Sequence, residues 1–205
     1  VQGMAHASTS LANLMVRRGD LQIAEDLYQY SRSQFSRIGS LLGLAIINYH
    51  QGEVLLIQHE PRNALHHLRE SMTSLERVKA RNYLARVLHM AAEAALTLED
   101  TEQALGYISR SQVIASELGM GVEEAVAYRV MGQIALQQQD YTCAAQYLEQ
   151  SYEMLQKMGH RYETGLVLYW QAQLYARTDK QVQVLSLLQE AEQIFKELRA
   201  RRVLE

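Results

Sequence analysis

Residues 40 positions apart match along this chain in column after column. Ala24, Ala64, Ala104 and Ala144 form one column, closed by Val184; Ser31, Ser71, Ser111, Ser151 and Ala191 form another; Tyr28, Leu68, Ile108, Leu148 and Leu188 form a third. A fixed period of this size is the signature of a stacked repeat, in which each unit buries its apolar face against its neighbours. Two further columns are uniformly small: Ala5, Ala45, Ala85, Ala125 and Gly165, then Ala12, Gly52, Ala92, Gly132 and Ala172. Small residues seven apart lie on one helical stripe and let two helices approach closely.

Within each unit the apolar spacing is helical, as in Val126, Val130, Met131, Ile134 and Leu136 and again in Tyr147, Leu148, Leu155 and Met158. Each unit is therefore two helices. An acidic residue recurs at the turn between them, Asp20, Glu60, Asp100 and Asp140, with Lys180 breaking the series. These positions suit N-caps, Asp100 with Gln103 has capping-box spacing, and Pro61 after Glu60 fits a first helical position. Gly39, Gly119 and Gly159 fall where the second helices should end. The predicted architecture is all-α: a right-handed superhelical solenoid of five helix-turn-helix repeats and about ten helices. It forms a single array over 1–205, with repeats at approximately 1–39, 40–79, 80–119, 120–159 and 160–199.

Composition narrows the classes of function. At 48% hydrophobic and 21% charged the chain can bury a core, and a net charge of −3 over 205 residues supplies no field to gather nucleic acid or an anionic membrane. Arg199, Arg201 and Arg202 are a local exception that suits the last turn of a helix. One cysteine, Cys143, excludes an intrachain disulfide and suits a reducing compartment. With no signal-peptide pattern and no apolar run of roughly 20 residues, a cytoplasmic protein is expected. Because the chain opens at Val1 without an initiator methionine, it is expected to be part of something longer, a processed terminus being the other reading.

The unit resembles the tetratricopeptide repeat. The fourth unit carries that pattern as Tyr128, Met131, Gly132, Ala135, Asp140, Tyr141, Ala144, Leu148 and Ser151, and the first as Leu11, Ala12, Gly19, Asp20, Ala24 and Tyr28. The departures are Ser8, Asn48, Leu88 and Leu168 in place of the first-helix aromatic, and a period of 40 against the commoner, roughly 34-residue one. Long units ending in Leu-Gly or Met-Gly, as at Leu118-Gly119 and Met158-Gly159, are similar to the sensor arrays of MalT-type bacterial signalling regulators. That resemblance implies an inducer or partner bound by the repeats and an NTPase or effector elsewhere in the chain. Long repeats also occur in free-standing scaffolds.

The resemblance further implies a concave groove lined by first helices. One first-helix column reads Thr9, Tyr49, His89, Arg129, Tyr169, and the next, four residues on, reads Asn13, Glu53, Glu93, Gln133, Gln173. Positions four apart share a helix face, so these side chains are expected to form a ladder open to a ligand, flanked by Arg86, Gln137 and Arg177. The binding residues expected from it are Tyr49, Glu53, His89, Glu93, Arg129, Gln133, Tyr169 and Gln173. Tyrosine and arginine are favoured at binding hot spots, and the ladder passes from glutamates to arginine and glutamine along its length. Its partner is expected to be a protein or peptide segment, or another domain of the same chain. A small inducer sitting in the groove is the alternative, and the lysine–asparagine clamp for a terminal carboxylate is absent.

The last helix carries Val182, Val184, Leu185, Leu187, Leu188, Ile194 and Phe195, more apolar surface than one preceding layer covers. Further repeats, a neighbouring domain or self-association would use it, since terminal repeats are otherwise polar. Nothing in the sequence assembles a catalytic constellation, a metal set or a cofactor site. His66 and His67 point in two directions around a helix, and no glycine-rich phosphate loop with a lysine occurs. Cys143 sits near a helix N-terminus, which is expected to lower its pKa, but no histidine is placed to activate it. A non-enzymatic recognition or sensor module is the function these residues fit.

Overall fold

A computed structural model describes residues 2–178 and 181–198. Val1, Lys180 and the basic series Arg199, Arg201 and Arg202 lie outside the described residues. Among those residues the chain forms ten α-helices: α1 (Gln2–Arg18), α2 (Leu21–Arg37), α3 (Leu41–Ile57), α4 (Pro61–Arg77), α5 (Arg81–Thr97), α6 (Thr101–Glu117), α7 (Gly121–Gln137), α8 (Tyr141–Met158), α9 (Arg161–Ala176) and α10 (Val184–Glu197). A short 3-10 turn, Gln181–Gln183, precedes α10. The helices gather into two compact units, Val1–Asp100 with α1 to α5 and Thr101–Glu205 with α6 to α10.

In the first unit each helix packs on the next, and the first helices α1, α3 and α5 also touch in turn. Its core joins Ala5, Ala12 and Val16 of α1 to Ala24, Tyr28 and Phe35 of α2 and to Ile47 and Val54 of α3. In the second unit Leu148 and Leu155 of α8 pack with Ala125 and Ala135 of α7 and with Val167 and Leu174 of α9, while Leu168 joins Ala191, Ile194 and Phe195 of α10 in a separate cluster. Burying side chains of this size contributes about 1.5–3 kcal/mol each, which is what holds helices that would be marginal alone.

The recurring columns acquire physical causes. The serine column donates across the helix pair: Ser31 Oγ to the carbonyl of Ala5 at 3.0 Å, Ser71 to that of Ala45 at 2.7 Å and Ser151 to that of Ala125 at 2.7 Å. Each bond needs a hydroxyl on the second helix and a residue small enough on the first to let the hydroxyl reach its carbonyl, so the two columns are coupled. The second small column has the same logic, because a Cβ at Gly132 would stand 2.7 Å from Leu148 Cγ, inside contact distance.

Helix ends follow a rhythm of 20 residues that glycine only half reveals. Gly19, Gly39, Gly119 and Gly159 take positive φ, and so do His59, Lys79, Glu99 and Gln139 between them. The left-handed conformation closes these eight helices whatever residue occupies it, because the amide of the following residue bonds back to the last turn, as His160 N does to Leu155 O at 3.0 Å.

The N-caps differ from expectation. Asp140 caps α8 with its carboxylate, accepting from Cys143 N at 3.0 Å. Asp20 and Glu60 occupy the N-cap positions of α2 and α4, but their side chains make no cap bond. Asp20 instead pairs with Arg18 at 3.6 Å, and Glu60 accepts from Asn63 at 2.6 Å. Ser40 caps α3 by accepting from Gly43 N at 3.1 Å, and Pro61 sits at the start of α4 as predicted.

The Cys143 amide holds the Asp140 carboxyl below its ordinary value. The ionised form is therefore favoured in the folded chain, so the stabilisation is present above the unfolded carboxylate pKa and is lost as the pH falls through the lower folded value. Asp140→Ala lowers the melting temperature at neutral pH, and the gap from the parent closes in acid. Thermal melts of both proteins followed by circular dichroism across pH check this; a gap independent of pH would sink it.

Candidate functional site

In the first unit the expected ladder is tied into a part-buried chain of polar groups. Tyr28 Oη donates to Asn13 Oδ1 at 2.5 Å, Asn13 Nδ2 stands 3.2 Å from His50 Nε2, and His50 Nδ1 stands 3.3 Å from Glu53 Oε2. Since Asn13 accepts through its oxygen, its amide donates to Nε2, which assigns the histidine proton to Nδ1 and directs it at Glu53. The Tyr28 and His50 rings stack at 5.7 Å and 6°, and Tyr49 tilts against His50 at 4.8 Å. Burial, reinforced by the Glu53 charge, pushes the Tyr28 phenol well above its usual range and keeps it a donor. Glu53 is thus held in one orientation beside Tyr49, both half-buried on α3, with His89 and Glu93 half-buried on α5. Thr9 is withdrawn from the ladder, buried and bonded to the carbonyl of Ala5 at 2.8 Å.

Sequence reasoning placed Asn13 and Glu53 on this face but missed Tyr28 and His50 as their organisers. Tyr28 reads as a packing column, and His50 as one scattered histidine. The signal was the spacing of His50 three residues before Glu53 and next to Tyr49.

A second polar cluster joins α2, α3 and α4. Arg32 donates to Asn48 and Gln51, Asn48 donates to Glu70 at 3.2 Å, and exposed His66 pairs with Glu70 at 3.5 Å. His67 is half-buried with its Nδ1 lacking a hydrogen-bond partner, and desolvation lowers its pKa. It borders a cavity of about 90 Å³ lined also by Glu25, Tyr28 and Gln51. That space admits about three waters and is well below the roughly 300 Å³ at which small-molecule pockets begin.

The second unit corrects the ladder. Arg129 and Gln133 are buried, not open to a groove. The Arg129 guanidinium lies 3.4 Å from Glu163 of α9, and the Gln133 amide, assigned with its oxygen toward both donors, accepts from Arg129 Nη1 at 2.6 Å and Trp170 Nε1 at 2.8 Å. These side chains tie α7 to α9. Tyr169 stays exposed with its ring 5.5 Å from Trp170, and Gln173 is half-buried. A recess of about 650 Å³ lies elsewhere, between α8 and α9, where Glu149, Glu153 and Tyr175 face Gln171, and Gln171 donates to Glu149 at 3.3 Å.

Cys143 also departs from expectation: its hydrogen bond with Asp140 raises the thiol pKa. Among the described residues no cluster of three histidines, cysteines or carboxylates could hold a metal, and no helix is long and apolar enough to cross a membrane.

Solved structures share this arrangement of helices. BtubC (BKLC) from P. vanneervenii superposes with a TM-score of 0.74 at 14% identity, over 97% of this chain and 82% of that one. A Rap protein complexed with competence and sporulation factor matches with a TM-score of 0.83 at 12% identity, over 95% of this chain and 54% of that one. A signal transduction ATPase with numerous domains from Pyrococcus horikoshii, which carries a tetratricopeptide repeat sensor, matches at 0.70 and 14% identity, over 94% of this chain and 30% of that one. The fold is a tetratricopeptide-like repeat. At these identities the likeness speaks for the fold alone. No protein-family model matches the sequence, and no curated protein matches it.

Proposed function

We propose that this tetratricopeptide-like chain is a non-catalytic recognition module that binds a protein or peptide segment on the first-helix face of its first unit, within a larger bacterial signalling or regulatory protein. The observation that carries the reading is Glu53, a carboxylate fixed by the Tyr28–Asn13–His50 chain beside the Tyr49 ring. A pre-oriented charge next to an aromatic surface loses little freedom on binding and offers a strong acceptor to lysine or arginine. Glu93 on α5 adds a second carboxylate one first helix further on. Support for the context comes from the Rap complex and from the ATPase whose repeats are a sensor. A small inducer is less well served in the first unit, where the cavity beside this chain holds only about 90 Å³.

Selection of a phage-displayed library of linear peptides on the immobilised chain tests this. The recovered peptides share a basic residue, and Glu53→Gln, which keeps an acceptor for His50, weakens them about tenfold, equal to about 1.4 kcal/mol. Peptides that bind Glu53→Gln and Glu93→Gln as tightly as the parent would show that this face is not the site.

A further inference from the structure

The recess between α8 and α9 has a counterpart in the first unit, three repeats earlier in the sequence. Gln171, Leu174 and Tyr175 of α9 correspond to Gln51, Val54 and Leu55 of α3, and Ala145 of α8 corresponds to Glu25 of α2. The counterpart has a volume of about 90 Å³ and the recess one of about 650 Å³. Two differences accompany the larger space. Glu25 lines the first-unit cavity, where the recess has only the methyl of Ala145. His67 of α4 also lines that cavity, whereas among the described residues none of α10 lines the recess. α10 begins at Val184, although the register of Pro61 would start it at Gln181. The second unit therefore holds, at a junction that is nearly filled in the first, a space within the roughly 300–1,000 Å³ range of small-molecule sites.

The lining says what kind of molecule fits. Glu149 and Glu153 both face the recess, and among the described residues no basic side chain lines it. The two carboxylates stand one turn apart on α8, about 6 Å along its axis, and like charges at this spacing repel. Lys157 meets Glu153 at 3.7 Å, but both side chains of that pair are mostly exposed and water screens it. Glu149 is held by an amide instead, Gln171 Nε2 donating to its Oε2 at 3.3 Å. Gln171 is only 7% exposed and lines the recess, and among the described residues its Oε1 accepts no hydrogen bond. Buried polar atoms ordinarily have partners, so this oxygen lacks a donor. An ammonium group in the recess supplies one to Gln171 and to Glu149 together. Leu174 and half-buried Tyr175 form the α9 wall, apolar surface for a methylene chain beside a ring whose face attracts a cation.

We propose that this recess binds a linear aliphatic diamine or polyamine, one ammonium group between Glu149 and Gln171 Oε1, the next at Glu153, and the methylene chain along Leu174 and Tyr175. Isothermal titration calorimetry with putrescine, a diamine whose nitrogens are about one helical turn apart, tests it. The parent binds putrescine about tenfold more tightly than butylamine, since one charge-assisted hydrogen bond is worth at least that. Glu149→Gln weakens putrescine by about tenfold as well. Ala145→Phe, which fills the recess and leaves both carboxylates in place, abolishes binding. Glu192→Gln removes a carboxylate from an exposed pair with Lys196 on α10 and leaves the affinity unchanged. Thermal melts check that each variant folds. A parent that takes up no putrescine overturns the proposal, and so does an Ala145→Phe protein that binds as tightly as the parent. Equal affinity for butylamine would mean that the recess reads a lone ammonium group, such as a lysine side chain. A loss at Glu192→Gln equal to that at Glu149→Gln would mean diffuse attraction to an acidic surface, and either result sinks the diamine site.

Discussion

Arg129→Ala lowers the unfolding free energy by about 3 kcal/mol, the low end of what removing one partner of a buried ion pair costs. The low end applies because the Glu163 side chain retains 17% exposure while that of Arg129 retains 5%, so water can partly serve the carboxylate left behind. The same change removes the donor that reaches Gln133 at 2.6 Å. Trp170, the one tryptophan in the sequence, donates to that same Gln133 at 2.8 Å, so its fluorescence reports unfolding from inside the affected cluster. Urea titrations of parent and variant give the difference directly. An unchanged midpoint would mean that Arg129 is solvated and that its burial contributes nothing. The result also decides how a binding defect in this variant must be read. In the folded chain Arg129→Ala unpins α7 from α9, so a loss of binding would follow from lost packing as well as from a lost ligand contact. Tyr49 and Glu53, both only half-buried, are the more informative positions.

The repeat was legible because its causes are local and recur. Alanine, serine and small-residue columns each answer to a contact made again in the next unit, such as Ser71 on Ala45 and Ser151 on Ala125. Helix ends were half legible: glycine marks four of the left-handed positions, while His59, Lys79, Glu99 and Gln139 adopt that conformation with no glycine to announce it. There the helix-closing hydrogen bonds outweigh a side-chain penalty of roughly 1 kcal/mol. The functional face was the least legible part. A polar column has the same appearance in sequence whether it faces water, as Tyr169 does, or a partner on the next first helix, as Arg129 does with Glu163. Burial there depends on a residue 34 positions away in sequence, and only the packing of α7 against α9 brings the two together.

The junction between the first two repeats predicts a mutation whose sign depends on its background. Phe35 is buried and its ring occupies the space where a Cβ at Gly43 would lie. Gly43→Ala therefore forces the ring or the helix to shift, and overpacking this close costs about 3 kcal/mol, the upper end of the typical range, offset by about 1 kcal/mol for replacing a glycine inside a helix. The net expectation is a loss of about 2 kcal/mol. Phe35→Ala leaves a cavity and costs about 4 kcal/mol. In that background the methyl of Gly43→Ala enters vacated space, so only the helix-propensity term survives and the second change stabilises by about 1 kcal/mol. The coupling between the two sites is then about 3 kcal/mol, at the upper end for residues in direct contact. Urea unfolding of the four proteins measures it. Equal effects of Gly43→Ala in both backgrounds would mean that the ring does not rest on this glycine.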